Sequence, residues 1–370
     1  MSTKEDNFTD KDKFFMSLAL DLARSKNGLT GVNPAVGAVI VNKKNEIISI
    51  GSTSIHGVPH AEDNAINNST EEVKDSTLYV TLEPCVHYGK TPPCINKIIK
   101  NKIKKVFYSI PDIDKKVSNK SKKILIKNGI HVKEGLLKKE INYFYYPYKF
   151  NRKYKLPFVT GKLAITKNNV IYSDQTKKIT TKQTDKLTHY LRYKNDSILV
   201  SSKTINIDNP KLDCRLIGLN KFSPRRIILD KNLDINLRSY VVKTINKKNT
   251  IIFYNKTSTK KKLFLKKKGA LLIKSKLGLD KNLDLKQILK KLYYFDCRNL
   301  LVEGGNYLTN NFLKQKLFNV FYLFKSKKKD PLKNNYIIFS SKKILYRSFN
   351  YRSYIKNTLG KDRIIKYRKV

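Results

Sequence analysis

The chain has 370 residues, 40% of them hydrophobic, with 77 lysines and arginines against 29 acidic residues and a formal net charge of +48. That length accommodates two domains with sizeable cores, and the apolar fraction is that of a globular protein rather than a disordered polyelectrolyte. Four cysteines do not make a disulfide framework, the start Met1-Ser2-Thr3-Lys4-Glu5-Asp6-Asn7 lacks the basic-then-apolar pattern of a secretory leader, and no run is long enough to span a bilayer. A reducing cytoplasm and no membrane partner are therefore expected.

Thr9 is placed to cap a helix over residues 10–25, with Phe14, Phe15, Leu18, Leu22 and Ala23 on one face. Residues 34–41 and 47–53 read as a strand pair around a Lys-Lys-Asn turn. A short helix is expected over 60–67, with His60 at its N-terminus. Residues 77–81 read as a buried strand that delivers Glu83-Pro84-Cys85 at its carboxyl end, where α/β folds place their chemistry. A helix follows from Cys94 to 100, and strands at 105–110 and 130–134 complete the sheet. This order predicts a three-layer α/β/α unit.

His60-Ala61-Glu62, Pro84-Cys85 and Cys94 read together as a catalytic zinc site with its own proton shuttle. Zinc favours imidazole and thiolate, and a catalytic site uses three protein ligands, leaving the fourth position to water. Glu62 stands where zinc nucleobase deaminases carry a carboxylate that moves protons without ligating the metal. The competing reading is two buried cysteines and a satisfied histidine. Nucleobase deaminases commonly close the site with C-x-x-C, whereas eight residues, Val86 to Pro93, separate the cysteines here. His87 in that loop reads as a pocket-lining residue or a further ligand; Asn33 reads as a contact to a pyrimidine edge or as a turn residue. His56, His131 and His189 belong to no constellation.

Residues 143–154, aromatic and basic, read as a junction. Beyond it strands are expected at 158–164, 197–200, 226–230, 250–254 and 270–274, and one at 299–303 ends in Gly304-Gly305 before an apolar helical segment. A glycine pair between strand and helix lets backbone N–H groups reach a phosphate; it also serves tight packing. Cys214 and Cys297 read as ordinary partly buried thiols.

The lysines are spread over most of the chain and accompanied by abundant Asn and Ile, with clusters such as Lys260-Lys261-Lys262 and Lys327-Lys328-Lys329. Coding bias towards A and T produces this excess without a binding role, so no nucleic-acid partner is expected; non-specific RNA association and attraction of a phosphorylated substrate are the competing readings. A tRNA or nucleoside deaminase would share the zinc chemistry, but the long cysteine loop and the whole second half oppose it. An RNA-binding protein on a degenerate scaffold has no need of the intact His60-x-Glu62 pair.

The run Thr81-Leu82-Glu83-Pro84-Cys85-Val86-His87-Tyr88-Gly89-Lys90-Thr91-Pro92-Pro93-Cys94 resembles the bifunctional deaminase-reductases of riboflavin biosynthesis. So do Asn33-Pro34-Ala35-Val36-Gly37 and Pro59-His60-Ala61-Glu62. In the second half the resemblance rests on Asp196-Ser197-Ile198-Leu199-Val200, Thr204, Asp208, Asn209-Pro210, Leu212 and Arg215, then Pro224 to Asp230 and Leu301-Val302-Glu303-Gly304-Gly305. It covers residues 12–323.

The resemblance implies a cytidine-deaminase-like domain over residues 1–148 and a dihydrofolate-reductase-like α/β domain over 149–370. It implies Zn2+ on His60, Cys85 and Cys94, with Glu62 catalytic, and hydrolytic removal of an amino group from a diaminopyrimidinone bearing a phosphoribosylamino substituent. It then implies NADPH-dependent reduction of the ribose to a ribityl chain. Ala164, Thr204, Asp208 and Gly305 fall on NADPH positions, and Thr176, Arg192, Leu212, Arg215 and Glu303 on substrate positions; a homo-oligomer is compatible. The reductase half departs from the pattern: Thr166-Lys167-Asn168-Asn169 stands for Ser-Leu-Asp-Gly, Lys178 for a tryptophan, and Ser201-Ser202 for small glycine positions. An active reductase whose NADPH site is weakened, or rebuilt with other contacts, is the expectation; a working deaminase tied to a decayed, mainly structural reductase domain is the alternative.

Overall fold

Thr9 caps the first helix, Asp10–Lys26: its Oγ1 accepts the Asp12 N–H at 3.1 Å, and the Asp12 carboxylate accepts the Thr9 N–H at 2.8 Å. The buried stripe is Phe15, Met16, Ala19, Leu20 and Ala23, at the i, i+3 and i+4 spacing of one helical face. Phe14, expected on that face, is 60% exposed, and Leu18 and Leu22 pack at the margin. The helix carries more apolar residues than one stripe holds, so the surface it meets decides its rotation.

That surface is a five-stranded sheet. Its strands are β1 (Gly37–Val41), β2 (Ile47–Ser52), β3 (Thr77–Leu82), β4 (Lys105–Ile110) and β5 (His131–Glu134), in the order β2-β1-β3-β4-β5. β2, β1 and β3 pair antiparallel, and β3, β4 and β5 parallel. β1, β3 and β4 are buried along nearly their whole length, as expected of strands covered on both faces. Two glycines set the covering layers. A Cβ on Gly37 would lie 1.9 Å from the Ala19 carbonyl oxygen, and one on Gly51 would lie 2.2 Å from that of Ala61. Gly51 pairs with Ala38, so the two glycines look to opposite faces. Helix Asp10–Lys26 therefore covers one face and helix Ala61–Asn67 the other, the three-layer arrangement expected.

The structure, a computed structural model, describes residues 8–89, 91–114, 117–176, 178–246, 249–333, 335–355 and 361–369; Lys90 of the cysteine loop lies outside them. The chain divides into two units, residues 1–155 and 156–370, so helix Tyr146–Tyr154 falls in the first unit although the sequence places a boundary at 148/149.

The second unit is built on a nine-stranded sheet. Its first strands are β6 (Phe158–Ile165), β8 (Ser197–Ser201), β9 (Arg225–Leu229), β10 (Thr250–Tyr254), β11 (Leu271–Lys274) and β12 (Asn299–Glu303), close to their expected positions. Five strands were not legible: β7 (Val170–Ser173), β13 (Val320–Lys325), β14 (Tyr336–Ile338), β15 (Tyr351–Ile355) and β16 (Arg363–Arg368). The sheet order is β11-β10-β9-β8-β12-β6-β13-β16-β15, parallel from β11 to β13 and antiparallel at β16 and β15, while β7 and β14 form a separate ribbon. Two cores lie on its faces, one around Phe312, Phe318 and Phe321, the other around Ile198, Ile228 and Leu301. Cys214 and Cys297 are both fully buried rather than partly so, and burial pushes the Cys297 thiol up to about 12.

Candidate functional site

In the first unit, three short segments converge at the carboxyl end of β3. His60 is the N-cap of helix Ala61–Asn67, in extended conformation, with its ring turned to the cysteines. Cys85 follows β3, and Cys94 opens helix Cys94–Lys100. His60 Nδ1 lies 3.6 Å from Cys85 Sγ and 3.4 Å from Cys94 Sγ, and the three ligand atoms lie within 4.8 Å of one another. Zinc–sulfur and zinc–nitrogen bonds of ordinary length give a tetrahedral edge of about 3.6 Å between them, so this donor set fits zinc. Among the described residues it is the one such cluster, and His87 lies outside it. The Cys94 N–H donates to Cys85 Sγ at 3.2 Å. Hydrogen bonding from Cys94, joined by His60, draws the Cys85 thiol well below its ordinary range against its burial.

Glu62, on the first turn of its helix, is 4% exposed. Burial, and then the negative charge of Cys85, push its carboxyl up to about 7. A carboxyl poised there can take and give a proton near neutral pH.

Glu83 was not singled out in the sequence, yet it fastens the ligand loop. Its buried carboxylate accepts the N–H groups of Asp112, Asn119 and Ser121 at 3.2, 3.0 and 3.1 Å and the Ser121 hydroxyl at 2.9 Å. An acidic residue closing an apolar strand immediately before Pro84-Cys85 was the available signal. The Asn33 side-chain amide donates to the Gly57 carbonyl at 3.0 Å. His87 keeps Nδ1 buried without a hydrogen-bond partner among the described residues.

In the second unit, Arg192 is bound both to Glu303 and, by Nη1 donating to the Asp213 carbonyl at 3.0 Å, to the segment carrying Leu212 and Arg215. Arg192, from helix Lys182–Lys194, and Glu303, at the carboxyl end of β12, form a largely buried bidentate pair at 2.7 and 2.9 Å. Lys162 lies opposite Glu303 in the β6–β12 register. Burial would raise the Glu303 carboxyl, but Arg192 and then Lys162 hold it below its ordinary range. Lys162 was missed, although a lone charge inside the apolar run Phe158–Ile165 was visible. Leu212 is buried at φ +58, a conformation an L side chain adopts only under constraint. Arg215 is half-exposed; its guanidinium meets Asp213 at 2.6 Å and its N–H donates to His189 Nδ1 at 3.2 Å. Burial and two neighbouring arginines hold His189 below its ordinary range, and its Nδ1 also lies 3.1 Å from the Asp213 carbonyl. Thr176 donates its hydroxyl to Asp330 at 2.5 Å.

Of the expected cofactor positions, Ala164, Thr204 and Gly305 lie near the ends of neighbouring strands and Asp208 ends helix Ser202–Asp208. Ser201, ending β8, accepts the Thr204 N–H at 3.3 Å and so caps helix Ser202–Asp208. Ala164 lies near the end of β6. Gly304 serves packing, since a Cβ there would lie 2.8 Å from Leu308; Gly305, N-cap of helix Asn306–Lys314, faces open space. Two helix N-termini beside the adjacent strands β8 and β12 make a fitting cradle for a dinucleotide's phosphates.

The departures from the family pattern are structurally absorbed. Asn169, where a glycine is usual, takes φ +67, which Asn tolerates better than other side-chain-bearing residues. Asn168 replaces an aspartate and grips Asp330 twice, its Nδ2 donating to the Asp330 carbonyl at 2.9 Å and its Oδ1 accepting the Asp330 N–H at 3.0 Å. Lys178 pairs with Asp185 at 2.5 Å.

A three-layer unit with a His-Cys-Cys cluster and a buried carboxyl, followed by a dihydrofolate-reductase-like unit, defines a zinc-dependent deaminase joined to an NADPH-dependent reductase. Residues 9–110 match the cytidine and deoxycytidylate deaminase zinc-binding region, and residues 169–325 match the RibD C-terminal domain. The chain is 36% identical over 318 residues to the riboflavin biosynthesis protein RibD of Aquifex aeolicus, covering 85% of this chain and 86% of that one. Its first part is 48% identical over 130 residues to the diaminohydroxyphosphoribosylamino-pyrimidine deaminase of Buchnera aphidicola, covering 35% of this chain and 88% of that one. The crystal structure of the deaminase/reductase from Thermotoga maritima is similar with a TM-score of 0.80 at 29% identity, covering 97% of this chain and 99% of that one. The chain belongs to the RibD family, the bifunctional deaminase-reductases of riboflavin biosynthesis.

Among the described residues, no helix is long and apolar enough to cross a membrane.

Proposed function

We propose that the first unit deaminates a diaminopyrimidinone carrying a phosphoribosylamino group, and that the second reduces the ribose of the product to a ribityl chain. The observation that carries this reading is the convergence of His60 Nδ1, Cys85 Sγ and Cys94 Sγ beside buried Glu62. His60, Cys85 and Cys94 would hold zinc, which would lower the pKa of a bound water towards neutrality. Glu62 takes a proton as water adds to the amidine carbon and delivers it to the departing nitrogen, so that amidine and water become carbonyl and ammonia. Asn33 and His87 line the pyrimidine site.

In the second unit NADPH supplies the hydride. Gly305, Thr204 and Ala164, near the carboxyl ends of β12, β8 and β6, and Asp208, at the end of helix Ser202–Asp208, would hold it. Arg192 is committed to Glu303, so the half-exposed Arg215 is the guanidinium fork for the ribose phosphate, with Leu212 and Thr176 shaping the pocket. Glu303 accepts from the sugar hydroxyls. The thiolate ligands suit a reducing cytoplasm.

The test uses the zinc-loaded full chain with the diaminopyrimidinone substrate, following ammonia release and NADPH oxidation separately. Both signals are expected. Ammonia without NADPH oxidation, even with the deaminated intermediate supplied, would remove the reductase half of the reading; neither signal from folded protein would overturn it.

A further inference from the structure

The aromatic and basic segment at residues 143–154 is used by neither half of that chemistry, yet one face of it reaches the rim of the deaminase site. Tyr145, between helices Lys138–Phe144 and Tyr146–Tyr154, is fully buried. Its hydroxyl donates to the Ala35 carbonyl at 2.9 Å and lies 2.7 Å from Thr81 Oγ1. A hydroxyl has one proton, so Thr81 must be the donor to Tyr145, and Thr81 in turn accepts the Gly37 N–H at 3.2 Å. The relay runs from Gly37 N–H through Thr81 and Tyr145 to the Ala35 carbonyl, with both ends on one stretch of chain. Burial keeps the Tyr145 phenol well above its ordinary range, so it stays a hydroxyl.

The same stretch is gripped elsewhere. Thr53 Oγ1 accepts the Val36 N–H at 2.9 Å and donates to the Pro34 carbonyl at 3.2 Å, while Gly37 is pressed against Ala19. Tyr148 and Arg152 lie on the Tyr145 face of the segment. Tyr148 donates to Asp112 at 3.1 Å, Arg152 donates to the Val32 carbonyl at 3.4 Å, and the Arg152 guanidinium lies 5.3 Å from the Tyr148 ring. Three residues of one segment thus hold the loops before β1 and after β4, and of the three Tyr145 is the one that reaches β3, through Thr81.

We propose that Tyr145 is a positioning residue for deamination, its hydroxyl closing the relay that holds the Asn33-Pro34-Ala35 turn against the strand end bearing Glu83 and Cys85. The proposal rests on the reading above that Asn33 meets the pyrimidine. Losing the relay lets the turn move while the metal ligands, held by Glu83 and helix Cys94–Lys100, stay in place.

The experiment compares Tyr145→Phe with the wild type as the zinc-loaded full chain. Loss of one buried hydrogen bond is expected to speed amide exchange at residues 33–37 by about tenfold, with β4 and β5 unchanged. KM for deamination should rise by about the same factor with kcat within about twofold, zinc content unchanged, and NADPH oxidation on the deaminated intermediate unaffected. Thr81→Val breaks the neighbouring link, so it should reproduce the phenotype and add little to Tyr145→Phe in the double variant. Unchanged exchange at 33–37, uniform acceleration across the unit, a fall in kcat with loss of zinc, or additive effects of the two substitutions would each overturn the proposal. Exchange needs no turnover, so a wild-type protein that releases no ammonia would sink the deaminase reading while exchange still decides the relay.

Discussion

Both units place their chemistry at the carboxyl ends of central strands, but they assemble it over very different distances along the chain. In the first, the candidate metal-ligating atoms come from positions 60, 85 and 94, each at the start of a helix or the end of a strand. In the second, the best-buried ion pair joins residues 111 apart, and Lys162 comes from a third element. A metal centre requires donor atoms of a fixed kind, so a changed residue there removes function. A pocket built from strand ends and helix N-termini relies more on backbone, and there Asn168, Asn169 and Lys178 each find a partner or a permitted conformation. The same degree of departure from a family pattern therefore means different things in the two units.

Glu62→Ala gives the sharpest break between them. Ammonia release should fall by about a thousandfold, the scale of lost general acid–base catalysis, with zinc content by metal analysis and NADPH oxidation on the deaminated intermediate both retained. Loss of zinc in this variant would show that Glu62 is a ligand and dissolve the distinction. In the second unit, Glu303→Gln leaves Arg192 and Lys162 buried without their anion. It should destabilise that unit by about 3–5 kcal/mol in urea unfolding of the full chain, a cost of breaking rather than replacing a buried pair. A negligible change would mean that the pair is solvated in solution.

A smaller effect separates the units by pH. Asp196 accepts the N–H groups of Arg298 and Asn299 at 2.9 and 2.7 Å, yet burial pushes its carboxyl up to about 6. The folded state then holds a proton that the unfolded chain has released, so stability of the second unit should fall as pH rises from about 4 to about 6, by on the order of 3 kcal/mol. Asp196→Asn should flatten that slope; an equal slope in the variant would place the titration elsewhere. Smallest of all, Asn169→Ala should cost about 1 kcal/mol and Asn169→Gly almost nothing, because only the φ +67 backbone is at stake. Equal losses from both would show that the Asn169 side chain itself matters.

Much of the fold was legible where local chemistry decides it. The Thr9 cap, the strands of the first unit, and β6 to β12 apart from β7 follow apolar runs and turn residues. β14 and β15 were not, because Tyr336–Ile338 is exposed throughout and Tyr351–Ile355 mixes Tyr, Arg and Ser with no apolar face. They are strands because β7 and β16 pair with them, which no window of sequence contains. The exposure of Phe14 has a similar origin, since the helix offers two adjacent stripes and Gly37 selects one.

By itself, the sequence determined the kind of side chains offered to a metal, the order of the strands of the first unit and the two-part organisation, because residue type and short-range periodicity act over a few positions. Only the tertiary structure decided that Glu83 anchors the ligand loop, that Arg192 is taken up by Glu303, and that Tyr145 closes a relay from Gly37 to Ala35. Those contacts depend on strand register and on which faces meet, and register is set by burying whole surfaces at once rather than by any residue's own preference.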